Sequence, residues 1–252
     1  MSRLGHLAFY GFRGTFIWWS PLAFAGMMVV VPLFMVVILG LLKSFVTGST
    51  VSVESVYPIS AYSTAFAVIG AVVQLPVRES QFGALEHIVV SARDLTELYL
   101  VRGVGILVVA QVSLLASIVA STVLVGEIAP EWIVRGLLAS FAVSFSALAF
   151  GLTLGSAALV TQSHPAVASV GGGLVLLFAG AVVPVEELPG AIQVIANVVP
   201  AHHAIRYITG AAGLESLGFE ACVATGYFVF GALVWSASHG IARRRGSYTW
   251  VP

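Results

Sequence analysis

The amino-acid sequence predicts an all-α integral membrane protein with six transmembrane helices, an N-terminal interfacial helix and a re-entrant outer helical hairpin between spans five and six. Three observations carry that reading. First, 59% of the 252 residues are hydrophobic and only 9% are charged, whereas soluble domains carry about 25% charged residues. Mean hydropathy is +1.02. So few ionisable side chains cannot solvate a surface of this size, and lipid must be the solvent for most of it. Second, apolar residues gather into six runs, 16–42, 59–77, 103–125, 133–160, 166–183 and 219–241. Each is near the roughly 20 residues that a helix needs to cross a hydrocarbon core of roughly 30 Å. Third, prolines between the fifth and sixth runs bracket apolar pieces of about ten residues, too short to cross.

Each element has its own justification. Ahead of the first run, Leu4, Leu7, Ala8 and Phe12 recur at helical spacing with Arg3, His6, Tyr10 and Arg13 between them. This fits a short amphipathic helix lying in the interface; a basic flank to the first span is the plainer alternative. Run 16–42 exceeds the roughly 7–15 residues of a signal-peptide apolar region, so it is expected to stay as a span. Backbone groups in lipid must be satisfied within their own segment, which makes every run a helix, and the alternating polarity of barrel strands is absent. Trp18, Trp19 and Trp132 fall where interfacial aromatic belts belong. The connections are 46–58, 78–102, 126–132, 161–165 and 184–218. With both termini inside, Arg3, Arg13, Arg78, Arg93, Arg102, Arg243, Arg244 and Arg245 fall on the cytoplasmic side, leaving Lys43, Arg135 and Arg206 outside. That asymmetry sets the expected orientation in the cell membrane, with both termini cytoplasmic. No internal repeat or long linker divides the chain, so residues 1–252 form one membrane domain.

Several chemistries are missing from the sequence. A phosphate-cradling loop ends in Gly-Lys-Ser/Thr, but the one lysine, Lys43, follows Leu42. Any ATP must act through another polypeptide. His202 and His203 are adjacent, so on a helix they diverge by about 100° and cannot share a metal ion. No catalytic residue, metal site or cofactor is expected in this chain. The net charge of zero points away from nucleic acid. The lone cysteine, Cys222, reads as a small packing residue. Arg135 and Glu220 fall near span ends, within snorkelling reach, and Gln74 and Gln111 are the main polar side chains at depth. Such scarcity of buried charge weakens an ion-coupled carrier.

Two segments carry more information. The inner loop over 78–91 is charged and free of proline, with Leu85, Ile88 and Val89 at helical spacing. It reads equally as a partner-binding amphipathic helix or as a solvated connection. The outer segment 184–213 contains Pro184, Pro189 and Pro200 around apolar pieces that include Ile192, Val194, Ile195, Val198 and Val199. Proline interrupts helices, and broken backbone at membrane depth must be buried in protein or line a cavity. The expected shape is a helix that emerges, dips back part-way and rises again; an ordinary extracellular loop is the alternative. On the fourth span, Phe141, Phe145 and Phe150 line up roughly on one face. They are candidates to touch cargo, or else pack against helices and lipid.

These two segments resemble those of the membrane subunits of ABC type-2 exporters, the permease family that includes drug and polysaccharide exporters. The inner loop is similar to its Arg-Glu…Gly-x-Leu-Glu pattern at Arg78, Glu79, Gly83, Leu85 and Glu86. The outer segment is similar to its Gly-x-x-x-Pro-x-x-x-x-Leu-Pro…Pro-x-x-His pattern at Gly180, Pro184, Leu188, Pro189, Pro200 and His203. Essentially the whole chain is covered. One departure is Ala92 after Ser91, where the family often has proline; it bears on the shape of the loop end and on which ATPase that end accepts. The resemblance implies a permease that pairs with a second permease subunit, identical or not. It also implies two copies of a separate ATP-binding subunit, which hold the ATP and Mg. Segment 79–91 would be the coupling helix, and 184–200 would cap the outer end of the path. An amphipathic small molecule or lipid-like cargo is the expectation, with efflux and antibiotic resistance as the setting. An ion-coupled secondary carrier and a non-transporting membrane scaffold are the alternatives.

Overall fold

A computed structural model describes residues 26–48, 50–81, 95–161 and 163–245. Among them every regular element is helical and there is no strand. A π-helical turn, Gly26–Val30, leads into α1 (Val31–Thr47). Then follow α2 (Val53–Gln81), α3 (Leu95–Val125), α4 (Pro130–Thr161) and α5 (His164–Phe178). A 3-10 turn (Val185–Glu187) and two short helices, α6 (Gly190–Ala196) and α7 (His202–Ile208), precede the last helix, α8 (Glu215–Arg245). Proline sits at or near the first residue of α1, α4 and α5, where a missing N–H costs no helical bond.

Helix α2 is the centre of the bundle. It packs on α1, α3, α4 and α5, and α4 in turn carries α8 and α7 on its other side. The apolar stretch of α2 is 89% buried inside the protein, against 17% for those of α1 and α8. The outer faces of α1 and α8, with Phe34, Ile38, Phe45, Phe219, Phe230 and Leu233, remain exposed. Small residues bring the helices together, as expected where lipid removes the hydrophobic drive between them. Gly151 lies so close to α2 that a Cβ would stand 3.0 Å from Val72, and Gly171 and Gly172 of α5 abut Leu154 and Phe66. A seam of hydroxyls joins α2 to α3: Ser60 to Ser121 at 2.6 Å, Ser63 to Ser117 at 3.2 Å and Tyr57 to Thr122 at 3.4 Å. At depth, Gln111 Nε2 donates to Ser144 Oγ at 3.3 Å and Gln74 to Met27 Sδ at 3.8 Å.

Among the described residues, five helices are long and apolar enough to cross a membrane, and a shorter apolar helix, Pro165–Phe178, accompanies them. Within the described residues every predicted run overlaps a helix, but several boundaries move. Helix α2 starts at Val53 rather than 59, because Ser52 and Ser55 exchange hydrogen bonds that begin it: Ser55 Oγ accepts from Ser52 N at 3.1 Å and donates to Ser52 O at 2.7 Å. Helix α3 starts at Leu95, so Arg102, expected in the connection, lies within a helix. The fifth run, expected to reach 183, ends as a helix at Phe178. Its 15 residues rise about 22 Å, short of a roughly 30 Å core. Cys222, read as a packing residue, is exposed on α8. Trp132 packs against Tyr57 with ring centroids 6.1 Å apart. The expected N-terminal interfacial helix, with Trp18 and Trp19, lies outside the described residues.

Candidate functional site

The site grows from the place where α5 stops. Ala179 still closes a helical bond, its N–H donating to Val175 O at 2.9 Å, but Gly180 has φ +84°. A Cβ there would also meet Val185 Cγ2 at 3.1 Å, so both conformation and space favour glycine. Pro184 (φ −54°, ψ 134°) leads into the 3-10 turn, Leu188 is extended, and Pro189 sets the start of α6. Gln193 Nε2 ties the two together, donating to Leu188 O at 2.8 Å and Glu186 O at 3.3 Å. The chain breaks again between α6 and α7. There Pro200 is buried and Ala201 is held at φ 69° with no exposed surface. A left-handed alanine costs about 1–2 kcal/mol, so something must hold it.

Glu220 of α8 holds it. Its Oε1 accepts the Ala201 N–H at 2.6 Å, and its Oε2 accepts those of His203 at 3.0 Å and Ala204 at 3.4 Å. Ser146 Oγ of α4 also accepts from Ala201 N at 3.3 Å. The first N–H groups of α7, which no helical carbonyl can satisfy, therefore end on one carboxylate and one hydroxyl. On the carbonyl side, the His203 ring Nε2 bonds Asn197 O at 2.9 Å and the Tyr227 hydroxyl donates to Val198 O at 2.9 Å. The Phe219 ring lies 5.8 Å from that of His203. The Glu220 and Ser146 bonds to Ala201 satisfy interrupted backbone inside the bundle, which is the condition for keeping it away from water, whereas those to Asn197 and Val198 lie at its exposed edge.

The register fixes how deep this junction lies. Arg135, ion-paired with Glu131 and seated against Gly210, marks the rim of α4. Ser146 lies eleven residues further on, about 16 Å along the helix and roughly half of a hydrocarbon core. Sixteen residues of α4 precede Ser146, whereas only five residues of α8 precede Glu220. Helix α8 therefore begins about 16 Å below the start of α4, and the hairpin fills the space above it. The bond from Thr153 Oγ1 to Tyr227 O, 3.1 Å, keeps a similar offset further along.

The six residues singled out on the outer segment come together here in different ways. Gly180, Pro184, Leu188 and Pro189 shape the descent, while Pro200 and His203 belong to the junction with Glu220. Arg78 and Glu79 fall in the last turn of α2, at the opposite end of the bundle. Gly83, Leu85 and Glu86 lie outside the described residues. The three phenylalanines do not share a face: Phe141 is 71% exposed and Phe145 38%, but Phe150 is only 8% exposed. Phe150 packs on Tyr227 with ring centroids 5.0 Å apart, and Phe145 on Phe228 at 4.9 Å. The five residues from 145 to 150 turn a helix through about 500°, which carries Phe150 well away from the other two.

Glu220 is the residue that sequence reasoning missed. Snorkelling to the surface was expected; instead its side chain is fully buried. The available signal was an acid within an apolar span of a chain that also carries a Pro-Ala-His-His break, where bare N–H groups need an acceptor. Lys43 and Arg206, like Arg135, lie at the hairpin end of the bundle, in keeping with the charge sorting read from the sequence.

The family model for the ABC-2 type transporter matches residues 12–211, about four fifths of the chain. No curated protein and no solved structure matches it.

Proposed function

We infer the function from one premise: the chain belongs to the ABC-2 type transporter family, and it is a multi-pass membrane permease. We propose that it is the membrane subunit of an ATP-driven exporter and moves an amphipathic small molecule or lipid-like cargo. It works with a second permease subunit and two copies of a separate ATP-binding subunit, which hold ATP and Mg. The hairpin end faces outward and both termini face the cytoplasm, so segment 79–91 couples to the ATPase. The hairpin closes the outer end of the path. The observation that carries this reading is the hairpin's depth. A folded-back segment pinned at mid-bundle by Glu220 is a barrier that a transport path would have to open.

A buried acid is also what an ion-coupled carrier uses. Both oxygens of Glu220, however, are engaged by backbone N–H groups, which supports a positioning role over ion exchange. The two readings separate in proteoliposomes holding the chain with its co-purified ATPase. Vanadate-sensitive, ATP-dependent movement of a fluorescent amphiphile supports the exporter. Movement driven by an imposed proton or sodium gradient, without ATP, overturns it. Within the exporter, Glu86→Arg should reach the membrane normally yet lose most ATP-driven transport, at least tenfold if one charge-assisted contact is removed. Unchanged transport at equal expression rejects the coupling role.

A further inference from the structure

At the hairpin end a cavity of about 350 Å³ opens between the end of α1, the start of α2, the segment after α5 and the outward face of α7. It is separate from the Glu220 junction, and its lining is built for charge. Lys43 comes from α1, Glu54 from α2, Glu186 from the 3-10 turn, His202 and Arg206 from α7, and Thr209 from the turn that follows. The two cationic and two anionic side chains cancel, so the cavity selects neither a simple anion nor a simple cation. Arg206 and Glu186 stand 3.5 Å apart, and the carboxylates of Glu187 and Glu54 act on Lys43. His202 is 2% exposed and its ring lies against the Ala179 backbone.

We propose that this cavity binds a zwitterion that joins a phosphate to a primary ammonium, a phosphoethanolamine-type group. The ammonium lies against Glu54 and Glu186, and the phosphate against Lys43 and Arg206. Opposite charges at the two ends of one ligand match the paired lining, and Arg and Lys are the usual phosphate partners. A primary ammonium offers three N–H donors to carboxylates. Recognition of a quaternary ammonium relies on aromatic faces, and among the described residues no Trp, Tyr or Phe lines the cavity. Lys43 stands near the end of one candidate span, Gly26–Val46, and Glu54 near the start of the next, Val53–Pro76. That is the level of lipid headgroups, which favours a phospholipid as the source over a dissolved solute.

The test uses the full chain, purified in detergent and equilibrated with micelles holding equal amounts of phosphatidylethanolamine, phosphatidylglycerol and phosphatidylcholine. Retained lipid is read by native mass spectrometry. Phosphatidylethanolamine should be retained about tenfold over either of the others, the value of one charge-assisted hydrogen bond. Glu54→Gln should erase most of that preference, and Glu54→Lys should turn it toward phosphatidylglycerol, a gain that misfolding cannot produce. Glu127→Gln, exposed at the same end but outside the cavity, should change nothing. If free O-phosphoethanolamine displaces the lipid, the headgroup alone is the ligand; if it does not while selectivity persists, the site is a lipid site. Equal retention of the three lipids, or selectivity unchanged in both Glu54 variants, overturns the proposal.

Discussion

The seam between α2 and α3 and the junction between the hairpin and α8 both bury polar groups at depth, but they answer the demand for partners differently. In the seam each serine and threonine hydroxyl has a fallback. Ser121 Oγ donates to Ser117 O at 2.8 Å, Ser117 Oγ to Ser113 O at 2.9 Å and Thr122 Oγ1 to Ile118 O at 2.9 Å, all within one helix. Separating the helices would leave those hydroxyls satisfied. At the junction the N–H groups of Ala201, His203 and Ala204 have no helical carbonyl to fall back on, and they converge on one carboxylate. The seam is distributed and replaceable; the junction is concentrated, and loss of one residue leaves several groups unpaired.

That contrast can be broken most severely at Glu220. Glu220→Gln keeps one acceptor oxygen but turns an NH₂ group toward backbone donors. We expect a loss of about 3 kcal/mol, in the range for removing hydrogen bonds to a buried charge. Thermal unfolding of the detergent-solubilised protein measures it, and labelling of a cysteine placed at Val198 should quicken as the hairpin loosens. A stability unchanged from the parent would reduce the junction to the standing of the seam. Next in size is Ala201. Valine at φ 69° in a fully buried position should cost about 2 kcal/mol, whereas Ala201→Gly should raise stability by up to about 1 kcal/mol by relieving the left-handed strain; if both variants weaken the protein equally, strain at Ala201 is not the cause. The smallest effect belongs to the seam. Ser121→Ala should cost about 0.6 kcal/mol, the mean for hydrogen bonds between membrane helices, with no change in hairpin accessibility. A cost as large as that of Glu220→Gln would mean that the hydroxyls act as one network.

Much of the helical framework was legible because lipid imposes a composition. Runs long enough to cross must be apolar, and all five candidate spans of the structure overlap predicted runs. Composition reports burial, however, and not helicity. Residues 179–183 continue the apolar run, and Ala179 and Ala181 are fully buried, yet they are not helical because Gly180 turns the chain. The reverse error occurs at Leu95–Arg102, where charged residues fall within a helix. At the site, the prolines and Gly180 announced a broken backbone, and His203 duly closes part of it. What they could not announce was the partner. Glu220 looks like a residue near a span end until the structure shows α8 starting well below the rim of α4, which places that end inside the protein. The register between two helices distant in sequence is a tertiary property that no local pattern encodes.

The low start of α8 has a mechanical consequence. By the same register, its far end at Arg245 runs about ten residues, roughly 15 Å, beyond the last residue of α4. One rod thus extends past α4 at one end and is clamped at the other, through the Glu220 carboxylate and the Tyr227 hydroxyl, to the folded-back segment. A push of one helical turn on the protruding end would arrive at the hairpin nearly undiminished, since an α-helix resists compression along its axis and the clamp leaves little slack.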